Sequence, residues 1–146
     1  VAVKVAEVTI TPTGGPIKLQ QLPIAVAISG AAEFETKNNT ATNNSGIIVR
    51  SPLFANDVVE SFAQSSDTND TKTQSVNITT DVTITKAETF EIYVDGIKNA
   101  AKDDKLTTKL GDKASLLFTD IEGDASITGD KLIKENYDES SVEISY

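Results

Sequence analysis

Val1-Ala2-Val3-Lys4-Val5-Ala6-Glu7-Val8-Thr9-Ile10 opens the chain and decides how the rest is read. Val1, Val3, Val5, Val8 and Ile10 are β-branched, and the first three alternate with Ala2 and Lys4 at a period of two, the pattern of a strand. The chain starts without a methionine and contains none, so it reads as a mature product trimmed after a signal peptide, or as a piece cut from a longer chain. A strand at a chain end has two fates. It pairs inside its own sheet, as first strands usually do, or it pairs with a sheet of another molecule. In the second case Val1, Val3, Val5, Val8 and Ile10 are the pegs of a donor strand. The breaker cluster Thr11–Pro16 is then the hinge to the body. Burying those five side chains contributes on the order of 7–10 kcal/mol before ordering costs.

Outward from this stretch, period two persists. Ile17–Leu19 reads as a short strand. Leu22, Ile24, Val26 and Ile28 alternate with Pro23, Ala25, Ala27 and Ser29, and Pro23 assigns that strand's start to an edge or an entry position. Ala32–Thr36, Gly46–Val49, Val76–Ile78, Val82–Ile84, Phe90–Val94, Leu116–Phe118, Ile127, Leu132–Ile133 and Val142–Tyr146 continue the β pattern. Lys37–Gly46 and Ser65–Ser75 are loops rich in Asn, Thr and Ser, and Asp95-Gly96 is a turn signal. Asp57–Gln64 is the best helix, with Asp57 as cap and Glu60 three residues on. Lys98–Lys113, with Leu106 and Leu110 four apart, is a short helix or a hairpin arm. The expectation is all-β: a β-sandwich or jelly roll of roughly nine to eleven short strands with one or two short helices. Its organisation is an N-terminal strand 1–10, a hinge 11–16 and one domain 17–146.

Composition narrows the chemistry. A chain of 146 residues is long enough for one domain with a real core. It has no Cys and no His, which excludes a Ser–His–Asp triad, a Cys–His dyad and a His-bound zinc site. The expectation is a protein that is not an enzyme. No apolar run is long enough to span a membrane. The net charge of −9 argues against nucleic acid. From Asp120 onward 8 acids face only Lys131 and Lys134, which makes divalent cations plausible partners beside the plainer reading of a solvated acidic surface.

Within that acidic end, Asp120, Glu122, Asp124 and Asp130 are the candidate cation ligands, because Ca²⁺ takes six to eight oxygens and the stretch 120–130 offers oxygens at alternate positions. An EF-hand register starting at Asp124 fails, since Ser126 and Thr128 lack carboxylates and Lys131 stands where an apolar residue belongs. The alternative is two acidic hairpin turns. Asp103-Asp104, near Asp112 and ringed by lysines, reads as surface ion pairing. The sequons at Asn38, Asn43, Asn69 and Asn77 are glycosylation candidates, or chance in a chain rich in Asn and Thr; with the trimmed start they favour an extracellular location.

The opening strand, the Thr11–Pro16 hinge and the acidic stretch Asp120–Asp130 together resemble secreted filament subunits: the TasA/camelysin-type matrix fibre proteins, archaeal bundling pili and archaeal cannula tubule subunits. The resemblance implies a β-sandwich body, N-terminal donor-strand exchange between subunits, and Ca²⁺ in assembly. The resulting expectation is a structural subunit of an extracellular filament or tubule, a head-to-tail homo-polymer built by strand donation. The rivals are a monomeric extracellular binding module (cohesin-like or carbohydrate-binding) and a surface-layer jelly roll.

Overall fold

The computed structural model describes residues 2–35, 45–62, 72–121, 126–128 and 140–143, the last two segments by their backbone. The chain is all-β and every strand pairing is antiparallel. The strands are β1 (Val3–Ile10), β2 (Ile17–Ile28), β3 (Glu33–Phe34), β4 (Gly46–Arg50), β5 (Val58–Glu60), β6 (Thr73–Ile84), β7 (Glu88–Asp95), β8 (Ile97–Lys98), β9 (Lys105–Leu110), β10 (Leu117–Thr119), β11 (Ser126–Thr128) and β12 (Ser140–Glu143). A four-stranded sheet runs β1-β7-β4-β5, a six-stranded sheet runs β11-β10-β2-β9-β12 with β6 on the far side of β2, and β3 pairs β8 in a small third sheet. One buried cluster joins the two larger sheets: Ile47, Val49, Phe90, Ile92 and Val94 from the first meet Leu19, Leu22, Ile24, Val26, Ile78, Ile84, Leu106 and Phe118 from the second. Each such side chain contributes about 1.5–3 kcal/mol by leaving water.

The two short strands expected around Leu19 and Leu22 are one. Leu19 and Leu22 lie three apart, so a regular strand would send them to opposite faces. The pairing of β2 with β6 shifts register between Leu19 and Gln21, and both leucines are 0% exposed. On β6 the irregularity falls at Thr80 and Asp81, where Asp81 takes a positive φ of 47° and the Thr80 hydroxyl donates to the Leu19 carbonyl at 2.8 Å. The same bulge merges the strands expected at Val76–Ile78 and Val82–Ile84. β6 begins at Thr73, so the loop expected through Ser75 ends earlier.

Pro23 sits neither at an edge nor at a strand's entry but inside β2. β2 is paired on both sides, by β6 along one and by β10 and then β9 along the other. β10 pairs residues 18–21 and β9 pairs residues 24–28, and Pro23 falls in the gap between them. In a strand the N–H and C=O of one residue point to the same side. The Pro23 carbonyl accepts from Gly111 N on the β9 side at 2.9 Å, so the missing donor also faces that gap, where no ladder bond is lost.

The helix expected over Asp57–Gln64 is not formed. Val58–Glu60 is β5, paired with Ile47–Val49 of β4. Adjacent β-branched Val58 and Val59 favour the strand, and Asp57 takes Arg50 in a forked contact at 3.0 and 2.7 Å instead of capping a helix. Beyond β5, Phe62 is buried against Phe34 with ring centroids 4.6 Å apart. Lys98–Lys113 contains the strand β9; a spacing of four also satisfies period two, so Leu106 and Leu110 share a strand face. Asp95-Gly96 does not turn a hairpin: β7 leaves the four-stranded sheet there and β8 pairs β3. Among the described residues the one helical element is the 3-10 turn Lys113–Ser115, and no helix is long and apolar enough to cross a membrane.

Asp104 is not the surface ion pair its neighbours suggest. It is buried, and one carboxylate oxygen accepts the backbone N–H groups of Ala31, Ala32 and Ala101 at 3.0, 2.9 and 2.9 Å. Gly30, at φ +67°, leaves the room this needs, since a Cβ there would stand 1.7 Å from the other carboxylate oxygen. The contact ties the β2–β3 turn to the loop before β9, where Asn99 and Asp103 hold positive φ. The hydrogen bond from Ala101, joined by those from Ala32 and Ala31 and by the charge of Lys72, lowers the Asp104 pKa against the opposing effect of burial. The folded state therefore holds the ionised form more tightly than the unfolded chain. This stabilisation is complete above the unfolded value near about 3.9 and fades as pH falls through the folded one. Asp104→Asn is expected to melt several degrees lower than wild type at pH 7, with the gap closing in strong acid; thermal melts across pH check this.

Candidate functional site

Among the described residues, β1 is the outer strand of the four-stranded sheet and pairs with β7. Its apolar residues change phase, from Val3 and Val5 at odd positions to Val8 and Ile10 at even ones. A regular strand would place these sets on opposite faces. The pairing with β7 shifts between Lys4 and Ala6, leaving Val5 as the extra residue, so that Val3 pairs Val94, Ala6 pairs Ile92, Val8 pairs Phe90 and Ile10 pairs Glu88. The bulge absorbs the phase change and increases the local twist of the strand.

The candidate pegs separate in the structure. Val5 is 4% exposed and belongs to the core. Val8 and Ile10 are half-buried and pack against it, as does Ala6, which its size hid from a reading by hydrophobic bulk. Val3 is 47% exposed. Val1 lies outside the described residues. The wall they meet is Phe90, Ile92 and Val94 of β7, with Phe54 tilted against Phe90 at 5.9 Å.

The opposite face of β1 is polar. Lys4 donates to Glu7 on its own strand and to Glu91 of β7, the latter at 2.6 Å. Glu91 also accepts the Tyr93 hydroxyl at 3.1 Å. The Thr9 and Thr89 hydroxyls meet at 3.0 Å. The hydrogen bonds to Glu7 and then Glu91 raise the Lys4 pKa, and the Lys4 bond chiefly lowers that of Glu91. One strand further in, the Arg50 guanidinium lies 4.7 Å from the centre of the Tyr93 ring while Asp57 grips it. Both faces of β1 thus make contacts, one apolar and one ionic.

The segment 11–16 that follows β1 is exposed except at a half-buried Pro12. Gly14 and Gly15 hold φ of +85° and +137°, and a Cβ at either would meet nothing within 4 Å. The turn is a free-standing bridge from the four-stranded sheet to the six-stranded one.

Of the cation candidates, Asp120 is half-buried just past β10, and Glu122, Asp124 and Asp130 lie outside the described residues. Among the described residues no three carboxylates converge on a point that could hold a metal ion. Of the sequons, Asn77 is exposed on β6 opposite Pro23 with Thr79 exposed two residues on; Asn38, Asn43 and Asn69 lie outside the described residues.

Comparison of the chain with family models, with curated proteins and with solved structures finds no match.

The burial difference along β1 has a direct test. Val5→Ala removes about two buried methylene equivalents and is expected to cost about 1.5–2 kcal/mol. Val3→Ala is expected to stay within about 0.5 kcal/mol. Urea denaturation of the two variants beside wild type checks the order.

Proposed function

We propose that this chain is a non-enzymatic structural subunit of an extracellular filament or tubule, whose body is a sandwich of the two larger sheets and whose units are linked by exchange of β1. The observation that carries the reading is the placement of β1: the outer strand of its sheet among the described residues, paired with β7, inserting Val5 into the core, and joined to the body through an exposed glycine turn. A strand so placed forms the same contacts with its own sheet or with that of a second copy. The side-chain contacts then nearly cancel between the two states. The balance is set by turn strain, by the entropy of association and by concentration. If the turn at Gly14 and Gly15 opens, the six residues 11–16 reach about 20 Å when extended, and β1 passes from its own groove to that of the next copy. Each subunit both gives and receives a strand, so the contact is head-to-tail and leaves both ends of the assembly open to growth.

The docking of β1 on its own sheet is also what a monomeric binding module would show, and that is the rival reading. Concentration separates the two: exchange makes oligomers that grow with protein concentration and persist on slow dilution. The acidic segment 120–130 enters as a Ca²⁺ ligand on the oxygen spacing of its sequence alone, and the exchange of β1 does not depend on it.

The turn supplies a variant with the opposite sign to a deletion. Gly14→Val and Gly15→Val strain the closed turn by roughly 1–2 kcal/mol each, the cost of a left-handed conformation for an L-residue. They leave an opened turn untouched, so exchange is favoured by about tenfold or more per site. Removal of residues 1–10 abolishes it. Light scattering after size exclusion, with negative-stain electron microscopy, is expected to show more and longer assemblies for the valine variants and none for the truncated chain. Polymer of normal yield without residues 1–10 would falsify strand donation.

Chelation tests the cation separately. Addition of EDTA is expected to lower the melting temperature or reduce assembly, and an unchanged protein removes Ca²⁺ from the proposal while leaving strand exchange in place.

A further inference from the structure

The register of β1 on β7 sets Glu7 directly opposite Glu91. Two carboxylates in direct cross-strand opposition repel each other, so this pairing is unfavourable as it stands. Lys4 offsets it. Its ammonium group is bound to both carboxylates at once, to Glu7 on its own strand and to Glu91 on the receiving strand at 2.6 Å. Two members of the triad travel with β1 and the third stays with the sheet. Among the described residues the other cation near Glu91 is Arg50, its register partner on β4, and Arg50 is already held in a forked contact by Asp57.

The apolar contacts of β1 discriminate little between strands. Val5, Val8 and Ile10 are the commonest kind of strand residue, and any sequence with the same β-branched spacing fills the same wall. The ionic face is different. A strand that brings a carboxylate to the position of Glu7 without a cation at the position of Lys4 leaves two like charges opposed. Specific interfaces reject wrong partners through unneutralised charge as well as attract the right one. At this exposure the ion pair itself adds little to stability, so its weight falls on selection.

We propose that Lys4 is the residue by which an acceptor sheet recognises a donor strand, and that the partner it selects is a second copy of this chain presenting Glu91. The inference rests on the strand-exchange reading and names its selectivity determinant. Lys4 acts as a positioning and selecting group, and the buried pegs supply the contact area.

The test uses full-length chains at low ionic strength, where exposed charges are least screened. Lys4→Glu gathers three carboxylates with no cation, in the closed subunit and in the exchanged one alike, so alone it is expected to melt lower than wild type with its exchange little changed. Glu91→Lys gathers two cations with one carboxylate and behaves the same way. The double variant Lys4→Glu with Glu91→Lys puts one cation back between two carboxylates and is expected to recover the melting temperature.

The decisive arm is in trans. Fluorescently labelled Lys4→Glu chains mixed with Glu91→Lys chains are expected to co-assemble about tenfold or more above either variant alone, because exchange between unlike chains turns every mismatched groove into a matched one. A role for Lys4 confined to the stability of its own subunit predicts no such gain. Thermal melts of every variant verify that the body is folded. A mixture that assembles no better than its components overturns the proposal. The two levels fail differently: no polymer from wild type defeats strand exchange and Lys4 with it, whereas polymer from wild type with no gain in the mixture defeats the role of Lys4 only.

Discussion

The pairing of β2 with β6 is the contact on which the other elements depend. Both strands run for 12 residues, and β2 is hydrogen-bonded along both of its sides. Its inward residues Leu19, Leu22, Ile24 and Val26 are almost fully buried, and they form the floor on which β4 and β7 of the other sheet rest. Side chains alternate strictly along a strand, so this floor is continuous only because the bulge at Gln20 brings Leu19 and Leu22 to one face. The same constraint acts at β1, where the bulge at Val5 serves a second run of apolar residues that changes phase. Both large sheets accept one irregular step in the backbone to keep the core apolar.

Strand type was legible wherever apolar residues alternate over several positions. β1, β4, β7 and the second half of β2 follow directly from Val3–Ile10, Gly46–Val49, Phe90–Val94 and Leu22–Ile28. What escaped has a common cause in pairing across the fold. Two runs separated by a bulge look like two strands until a partner shows that the ladder continues, as happened at Gln20 and again at Thr80. Pro23 is evidence against a central strand only if its missing donor would face a neighbour, and whether one stands there depends on where β10 ends and β9 begins. Asp57 and Glu60 have the spacing of a helix cap, but Arg50, seven residues back, claims Asp57 for a hairpin.

The candidate site divides along the same line. The apolar character of Val5, Val8 and Ile10 could be read from the chain, and so could the breaker segment behind them. The depth of each peg could not, since Val3 and Val5 are the same residue in the same pattern and differ in burial by an order of magnitude. Lys4, Glu7 and Glu91 become a unit only once the register is known. Asp104 is a related case: its lysine neighbours mark a charged surface, while its real partners are backbone N–H groups brought over from a turn more than seventy residues earlier.

The gap at Pro23 has a consequence for how the six-stranded sheet comes apart. On the β6 side the ladder to β2 runs nearly unbroken, but on the other side two separate leaves are attached, β10 with β11 and β9 with β12. At the gap itself the backbone bond on that side comes from Gly111, in the short connection between β9 and β10, and neither ladder continues into the other. A boundary between units of local unfolding is expected at such a break. A single imino acid in the central strand thereby sets where one flank is weakest, while the ladder to β6 spans the same point.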